Sequence, residues 1–516
     1  MAPISSASVH GLSSWFCRLL LVTGLHLPAC NAIVERNQNP ATVRTTLGVV
    51  HGATDSSVRR FTVPYALPPV GSRRFKDPQP IASLNKLVLI PNSVSQALRH
   101  HGGSFLLGSS SASGLDGSAL ASAHDILVVT VQTRLGVLGY LRNSRLDIQG
   151  NFGLKDMVAA LTFVQRHISA FGGDSSRVTL AGQSSGAEMV KTLLVTPAAS
   201  SLFHRAILHS PPLDLTDQTA TQASAIGQLI ADQLECSTPS CLRSRSISKL
   251  LAVQESIVAL GQSGQLQGLR MTDSFLRPVV DGRLVTRDFV DVTKHRQALI
   301  DSGKRLILTT MKDDAALGTF ALFPQPQPPA AFAPAVQAIY GPRASDIIRS
   351  GIYTPAAAPD AARESMTRVG TDFTWRCPVH QTALNLTAAG HADIYVARFD
   401  RGISYLSGAV AFTASKATHE DDILAVFGPL DPSSLSSAQQ NLVQEVQSRW
   451  AAFVKTGSPN TAQHSDWTAV KSGGPSGSGG ILNVLRLGGG TNEESVFVDE
   501  LNDAACAIGT GVYRPF

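Results

Sequence analysis

At 516 residues and 43% hydrophobic content, the chain is long enough to bury a large core. Its formal charge of +5 is small for the size, the charged fraction is only 16%, and the basic residues are scattered in short pairs such as Arg59-Arg60 and Arg73-Arg74. That distribution excludes a nucleic-acid-binding stripe and leaves a mildly basic, solvated surface.

Taken in chain order, residues 1–30 read as a secretory signal. A short apolar stretch runs from Arg18 to Ala29 and small residues follow around Ala29 to Ala32. No later run has the apolar length of a membrane-spanning helix, so a secreted product without a transmembrane segment is expected. Of six cysteines, Cys17 falls in the signal, leaving Cys30, Cys236, Cys241, Cys377 and Cys506. Cys236 and Cys241 flank a short "STPS" loop that a disulfide could close, or they could ligate a metal; no second Cys or His pair lies nearby to complete a zinc site. Cys377 and Cys506 would staple distant regions.

"HHGGSF" (100–105) is a glycine-rich turn. The β-branched run "ILVVTV" (126–131) suits a strand buried on both faces. From Phe152 to Ile168, apolar Leu154, Met157, Val158, Leu161, Val164 and Ile168 recur at helical spacing. "RVTLA" is again a buried strand, "GAEMVKTLLVTP" a helix ending before Pro197, and "LFHRAILHS" a helix-to-strand step. Such alternation predicts a mostly parallel sheet with helices on both faces, an α/β fold. Past residue 250 the pattern is mostly helical, with a strand at 305–310. Residues 324–335 form a Pro-rich surface connection, and 471–480 a Gly/Ser-rich loop. Neither divides the chain into independent domains, and no internal repeat is evident.

Between the strand and the helix stands Gly182-Gln183-Ser184-Ser185-Gly186. A serine on a sharp strand-to-helix turn has its Oγ exposed, and the following helix points its positive end at developing negative charge. The plainer reading makes Ser184 a helix N-cap. A serine needs a histidine to take its proton and a carboxylate to orient that histidine, in the chain order Ser, acid, His on this kind of sheet. Asp313 and Asp314 follow the 305–310 strand, where they could equally begin a helix. His419, one of 14 histidines, lies in the polar loop "KATHEDD". Gly102 and Gly103 could let backbone N–H groups approach an oxyanion, or simply form a turn. Asn385-Leu386-Thr387 is a sequon for an N-glycan on a secreted chain.

These residues resemble the type-B carboxylesterases, a family of α/β-hydrolases that includes cholinesterases, bile-salt lipases and many secreted fungal esterases. The likeness is carried by "GNFGLKDMVAALTFVQRHISAFGGDSSRVTLAGQSSGA", "TRLGVLGYL", "SLFHRAILHS" and "RWAAFVKTGSPN", and extends from about residue 46 to Cys506. It implies a single α/β-hydrolase domain over 31–516 and a serine ester hydrolase acting through an acyl-enzyme. The implied nucleophile is Ser184, the base His419 and the acid Asp314, where relatives usually carry Glu. Implied oxyanion donors are the backbone N–H groups of Gly103, Ser104 and Ser185, with Ser104 replacing a glycine. Gln183 stands where many relatives carry Glu, and the implied disulfides are Cys236–Cys241 and Cys377–Cys506. Small-molecule esters would be the substrates, and no metal or organic cofactor is called for.

The family pattern is broken between about residues 80 and 101. There relatives carry a longer segment with a disulfide-closed loop and an extra strand, of which only "LVLIP" remains. Loss of the loop favours an open esterase over an interfacially activated lipase or sterol esterase. Rival readings are a catalytically inactive binding protein of the same fold and a truncated gene product.

Overall fold

The apolar runs assemble into one eight-stranded sheet. In the computed structural model, the described residues are 39–55, 58–84, 97–262, 275–297, 299, 301, 303–403, 411–428, 432–471, 482–500 and 503–509. The signal, Cys30, the "LVLIP" run and most of the 471–480 loop lie outside them. An N-terminal antiparallel sheet holds β1 (Asn39–Thr45), β2 (Gly48–Asp55) and β3 (Val58–Arg60). The main sheet contains β4 (Ala97–His100), β5 (Val129–Thr130), β6 (Thr179–Gln183), β7 (Arg205–His209), β8 (Arg305–Met311), β9 (Ile394–Phe399), β10 (Asn483–Leu487) and β11 (Val496–Asp499). Its spatial order is β11-β10-β9-β8-β7-β6-β4-β5, parallel except for β10 with β11.

All five residues of β6 are buried, as expected for a strand covered by helices on both faces. Leu180 and Leu208 belong to a core beneath α1 (Phe152–His167) and α2 (Ser185–Leu194). Their neighbours Ala181 and Ile207 belong to a second core, with Trp450 and Phe453, on the opposite face. That split is the period-two alternation of a strand. Register brings His100 beside Gly182, Gln183 beside His209, and His209 beside Thr309. The carboxyl ends of β4, β6, β7 and β8 therefore converge at one rim of the sheet.

Two elements differ from expectation. Of the 126–131 run, only Val129–Thr130 joins the ladder, against β4. Among the described residues no strand flanks β5 on its other side, so the rest of the run has no ladder to enter. The Pro-rich 324–335 stretch is more ordered than a plain connection. It turns through Pro329–Ala331 into a helix at Phe332–Tyr340, because proline fits a first turn whose N–H groups have no intrahelical partner.

The helical region past residue 340 includes α3 (Ala361–Thr371), a π-helical turn (Asp372–Arg376) and α4 (Cys377–Ala388) in one continuous run. Cys377 is bonded to Cys506, and Cys236 to Cys241, so the metal reading of Cys236 and Cys241 falls away. The sequon corrects an expectation. Asn385 is buried within α4 with its carboxamide oxygen accepting from Gln381 Nε2 at 2.9 Å, so the folded chain offers no open face there for a glycan. From Ser437 to Thr456 runs α5, which brings Trp450 to the second core. No described helix is long and apolar enough to cross a membrane.

Candidate active site

Ser184 sits between β6 and α2 at φ 55° and ψ −124°, a conformation that L-residues adopt only when their surroundings force it. Two bonds hold it: its N–H donates to the His209 carbonyl at 2.9 Å, and its carbonyl accepts from the Glu188 N–H at 2.9 Å. A Cβ at Gly182 would lie 2.2 Å from the Gly186 carbonyl oxygen, so the turn closes only with glycine there. Ser184 is half-buried while both neighbours are buried. It caps nothing with its side chain, which removes the plain N-cap reading.

Asp314, just past β8, is 1% exposed. Its Oδ1 lies 2.6 Å from His419 Nδ1, and its Oδ2 accepts from the Ser210 hydroxyl at 2.9 Å and the Met311 N–H at 2.7 Å. Asp313 has another task, exchanging backbone bonds with Ala417 and so pinning the loop that carries His419. That loop is also tightened by Asp421, whose Oδ2 accepts from the Thr418 N–H and hydroxyl at 2.8 and 3.0 Å. His419 is not the solvated loop histidine of the plainer reading: it is 3% exposed. The Trp375 ring, from the π-helical turn, packs 5.2 Å from it.

Because a carboxylate can only accept, Nδ1 of His419 carries the proton. The Nε2 lone pair then faces the Gln183 amide nitrogen at 3.2 Å. This is the tautomer that a general base requires. Burial disfavours the imidazolium, but the hydrogen bond and charge of Asp314, with Glu420 and Asp422, outweigh it and raise the His419 pKa above its ordinary value.

The "HHGGSF" turn abuts the serine. A Cβ on Gly102 would come 2.4 Å from Gln183 Oε1 and 3.3 Å from Ser184 Cβ. Gly103 (φ 112°), Ser104 (φ 54°) and Phe105 (φ 60°) all take positive φ. Phe105 is fully buried with its ring 5.0 Å from Tyr140, anchoring the turn in the core. Ser185 opens α2, whose first-turn N–H groups have no intrahelical acceptor. Ser184, Asp314, His419, Gly103, Ser104 and Ser185 are thus gathered at one rim of the sheet, together with Ser210, Gln183 and Trp375, which the sequence reading did not single out as site residues. No set of three or more His, Cys, Asp or Glu with metal-binding geometry occurs among the described residues.

A family model described as the carboxylesterase family matches residues 98–477. The para-nitrobenzyl esterase of Bacillus subtilis (strain 168) is 28% identical over 481 residues, covering 81% of this chain and 90% of that protein. Human carboxylesterase 5A is 27% identical over 480 residues, covering 79% of each. A solved PNB esterase structure superposes with a TM-score of 0.72 at 25% identity, covering 90% of this chain and 99% of that one. A Geobacillus stearothermophilus carboxylesterase gives a TM-score of 0.72 at 26% identity with the same coverage.

Proposed function

The chain belongs to the carboxylesterase family and is a carboxylic ester hydrolase, and from that premise we propose that Ser184, His419 and Asp314 are its nucleophile, base and acid. The observation that carries this reading is the 2.6 Å contact of His419 Nδ1 with Asp314, made beside a serine held on a strained turn.

In the first half-reaction Ser184 Oγ attacks the acyl carbon as His419 Nε2 takes its proton, and a tetrahedral oxyanion forms. The N–H groups of Gly103, Ser104 and Ser185 stabilise that oxyanion. Collapse breaks the bond to the alcohol oxygen, which leaves with the proton from His419. Water then loses a proton to His419, attacks the acyl-serine and releases the acid. Asp314 keeps Nδ1 protonated and stabilises the imidazolium formed in both halves.

Residues 31–516 act as one domain in this reading, exported behind the 1–30 signal. Two disulfides support export, since such bonds persist in oxidising compartments. The test is labelling with a fluorophosphonate and mapping of the adduct by peptide mass, followed by a screen of short- and long-chain esters. Labelling confined to Ser184 and abolished in Ser184→Ala is expected. A folded protein that takes no label, or takes it elsewhere, refutes the assignment.

A further inference from the structure

Beneath the site lies a second buried histidine–aspartate pair. His209 ends β7 and is 2% exposed; Asp422, three residues beyond His419, is wholly buried. Trp450 Nε1 lies 3.1 Å from His209 Nε2. An indole N–H can only donate, so His209 Nε2 carries no proton and the ring is neutral with its proton on Nδ1. That Nδ1 stands 2.6 Å from Asp422 Oδ2, a close contact bent off the ideal hydrogen-bond line, and 3.3 Å from Thr309 Oγ1. A carboxylate taken so far from water is costly unless polar groups are held against it, and β7 and α5 together supply such a holder.

The pair is wired to the site through three further contacts. The His209 carbonyl accepts the Ser184 N–H. Ser210, the next residue, donates to Asp314. Asp422 belongs to the loop that presents His419. One strand end thus touches the serine backbone, the acid and, through Asp422, the loop of the base.

We propose that His209 and Asp422 are a second positioning pair of this esterase: His209 holds the Asp422 carboxylate where its negative charge supports the cation that forms on His419 during turnover. The inference rests on the assignment of His419 as base. Groups facing His419 are Asp314 from β8, Gln183 from β6, Trp375 from the π-helical turn, and Glu420 and Asp422 from its own loop. Those facing Asp422 and His209 are Thr309 and Trp450. Charge on Asp422 acts in the same direction as Asp314 in raising the His419 pKa, so its loss displaces the acid limb of the pH–rate profile.

The experiment is the pH dependence of kcat/KM for p-nitrophenyl acetate in the wild type, Asp422→Asn, Asp422→Glu and Ser184→Ala. The acid limb of Asp422→Asn is expected roughly one unit lower than wild type, while Asp422→Glu, which keeps the charge, leaves the limb in place. An Asp422→Asn limb that coincides with wild type, with Ser184→Ala inactive, overturns this inference alone. Activity in Ser184→Ala instead overturns the assignment of the site. The unaltered protein supplies a second test should Asp422→Asn not fold. In 15N-histidine spectra, one buried imidazole is expected to stay neutral and protonated at Nδ1 from about pH 5 to 9. Titration of that signal, or protonation at its Nε2, overturns the pair.

Discussion

The amide nitrogen of Gln183 lies 3.2 Å from Nε2 of His419, so the residue before the nucleophile occupies the working face of the base. An amide donor there favours the neutral imidazole and restrains the pKa that Asp314 raises. Replacing Gln183 by Glu turns that donor into a second carboxylate. The acid limb of kcat/KM is then expected to move up by about one unit, costing about tenfold at pH 6 and little above pH 9. A pH–rate profile of Gln183→Glu checks the sign; a limb that moves down contradicts the contact.

Asp314 is held by two donors besides His419, and each has a distinct expected effect. Asp314→Asn lets its amide donate to Nδ1 and invert the tautomer, with a fall in kcat of about 10³- to 10⁴-fold. Ser210→Ala removes one restraint and leaves the charge, so a loss nearer tenfold is expected. Single-turnover kinetics with a nitrophenyl ester separate the two, and equal losses would show that Ser210 does more than hold Asp314.

Much of this site was legible in the sequence because its signals are local. Gly182 to Gly186 between a β-branched run and an amphipathic helix specify the turn, since the glycines are needed within five residues of one another. The carboxylate pair at 313–314 was legible as a pair, but the division of labour between them was not. It depends on the 416–419 loop, some 105 residues away. His209 and Ser210 were read only as the end of a strand, because their roles arise from register with Gln183 and Thr309. Trp375 left no signal either, since a π-helical turn has no period distinguishable from the helices around it. The burial of Asn385 is a tertiary fact that a three-residue motif cannot contain.

Behind α2, Asp217 is 4% exposed and accepts from Thr192 Oγ1 at 3.1 Å. Burial pushes its carboxyl up to about 7, against Lys191 and with help from Asp288 and Glu188. The folded state therefore holds a proton that the unfolded chain releases near pH 4, and stability falls as pH rises between those values. Asp217→Asn is expected to raise the melting temperature by a few degrees at pH 8 and to change it little at pH 4. Equal shifts at both pH values would assign the effect to packing.

The two disulfides close loops of very different size, with sequence separations of 129 and 5 residues. Chain entropy in the unfolded state makes the long closure worth about 5 kcal/mol and the short one about 2 kcal/mol. Paired Cys377→Ser/Cys506→Ser is thus expected to lower the denaturation midpoint well below that of Cys236→Ser/Cys241→Ser, and urea unfolding without reductant compares them. The long bridge also ties the C-terminal segment beside Arg376, which pairs with Asp372, Glu500 and Asp503. Its loss should therefore expose that buried ion network and steepen the salt dependence of stability.

Ser104 separates two roles that a glycine would merge. Its N–H is a proposed oxyanion donor, which any residue but proline supplies, whereas its side chain stands over the acyl side of Ser184. At φ 54° the residue also carries left-handed strain of about 1 kcal/mol. Glycine removes that strain, but its greater freedom in the unfolded chain offsets most of the gain. Ser104→Gly is accordingly expected to leave stability within about 1 kcal/mol of wild type and to keep kcat for acetyl esters. With branched or longer acyl groups, which meet the vacated space, kcat/KM should rise several-fold. A steady-state comparison of acetyl, butyryl and pivaloyl nitrophenyl esters decides the matter. Uniform loss across the series would mean that the hydroxyl itself positions the oxyanion loop, and a uniform gain that the strain, not the pocket, limits turnover.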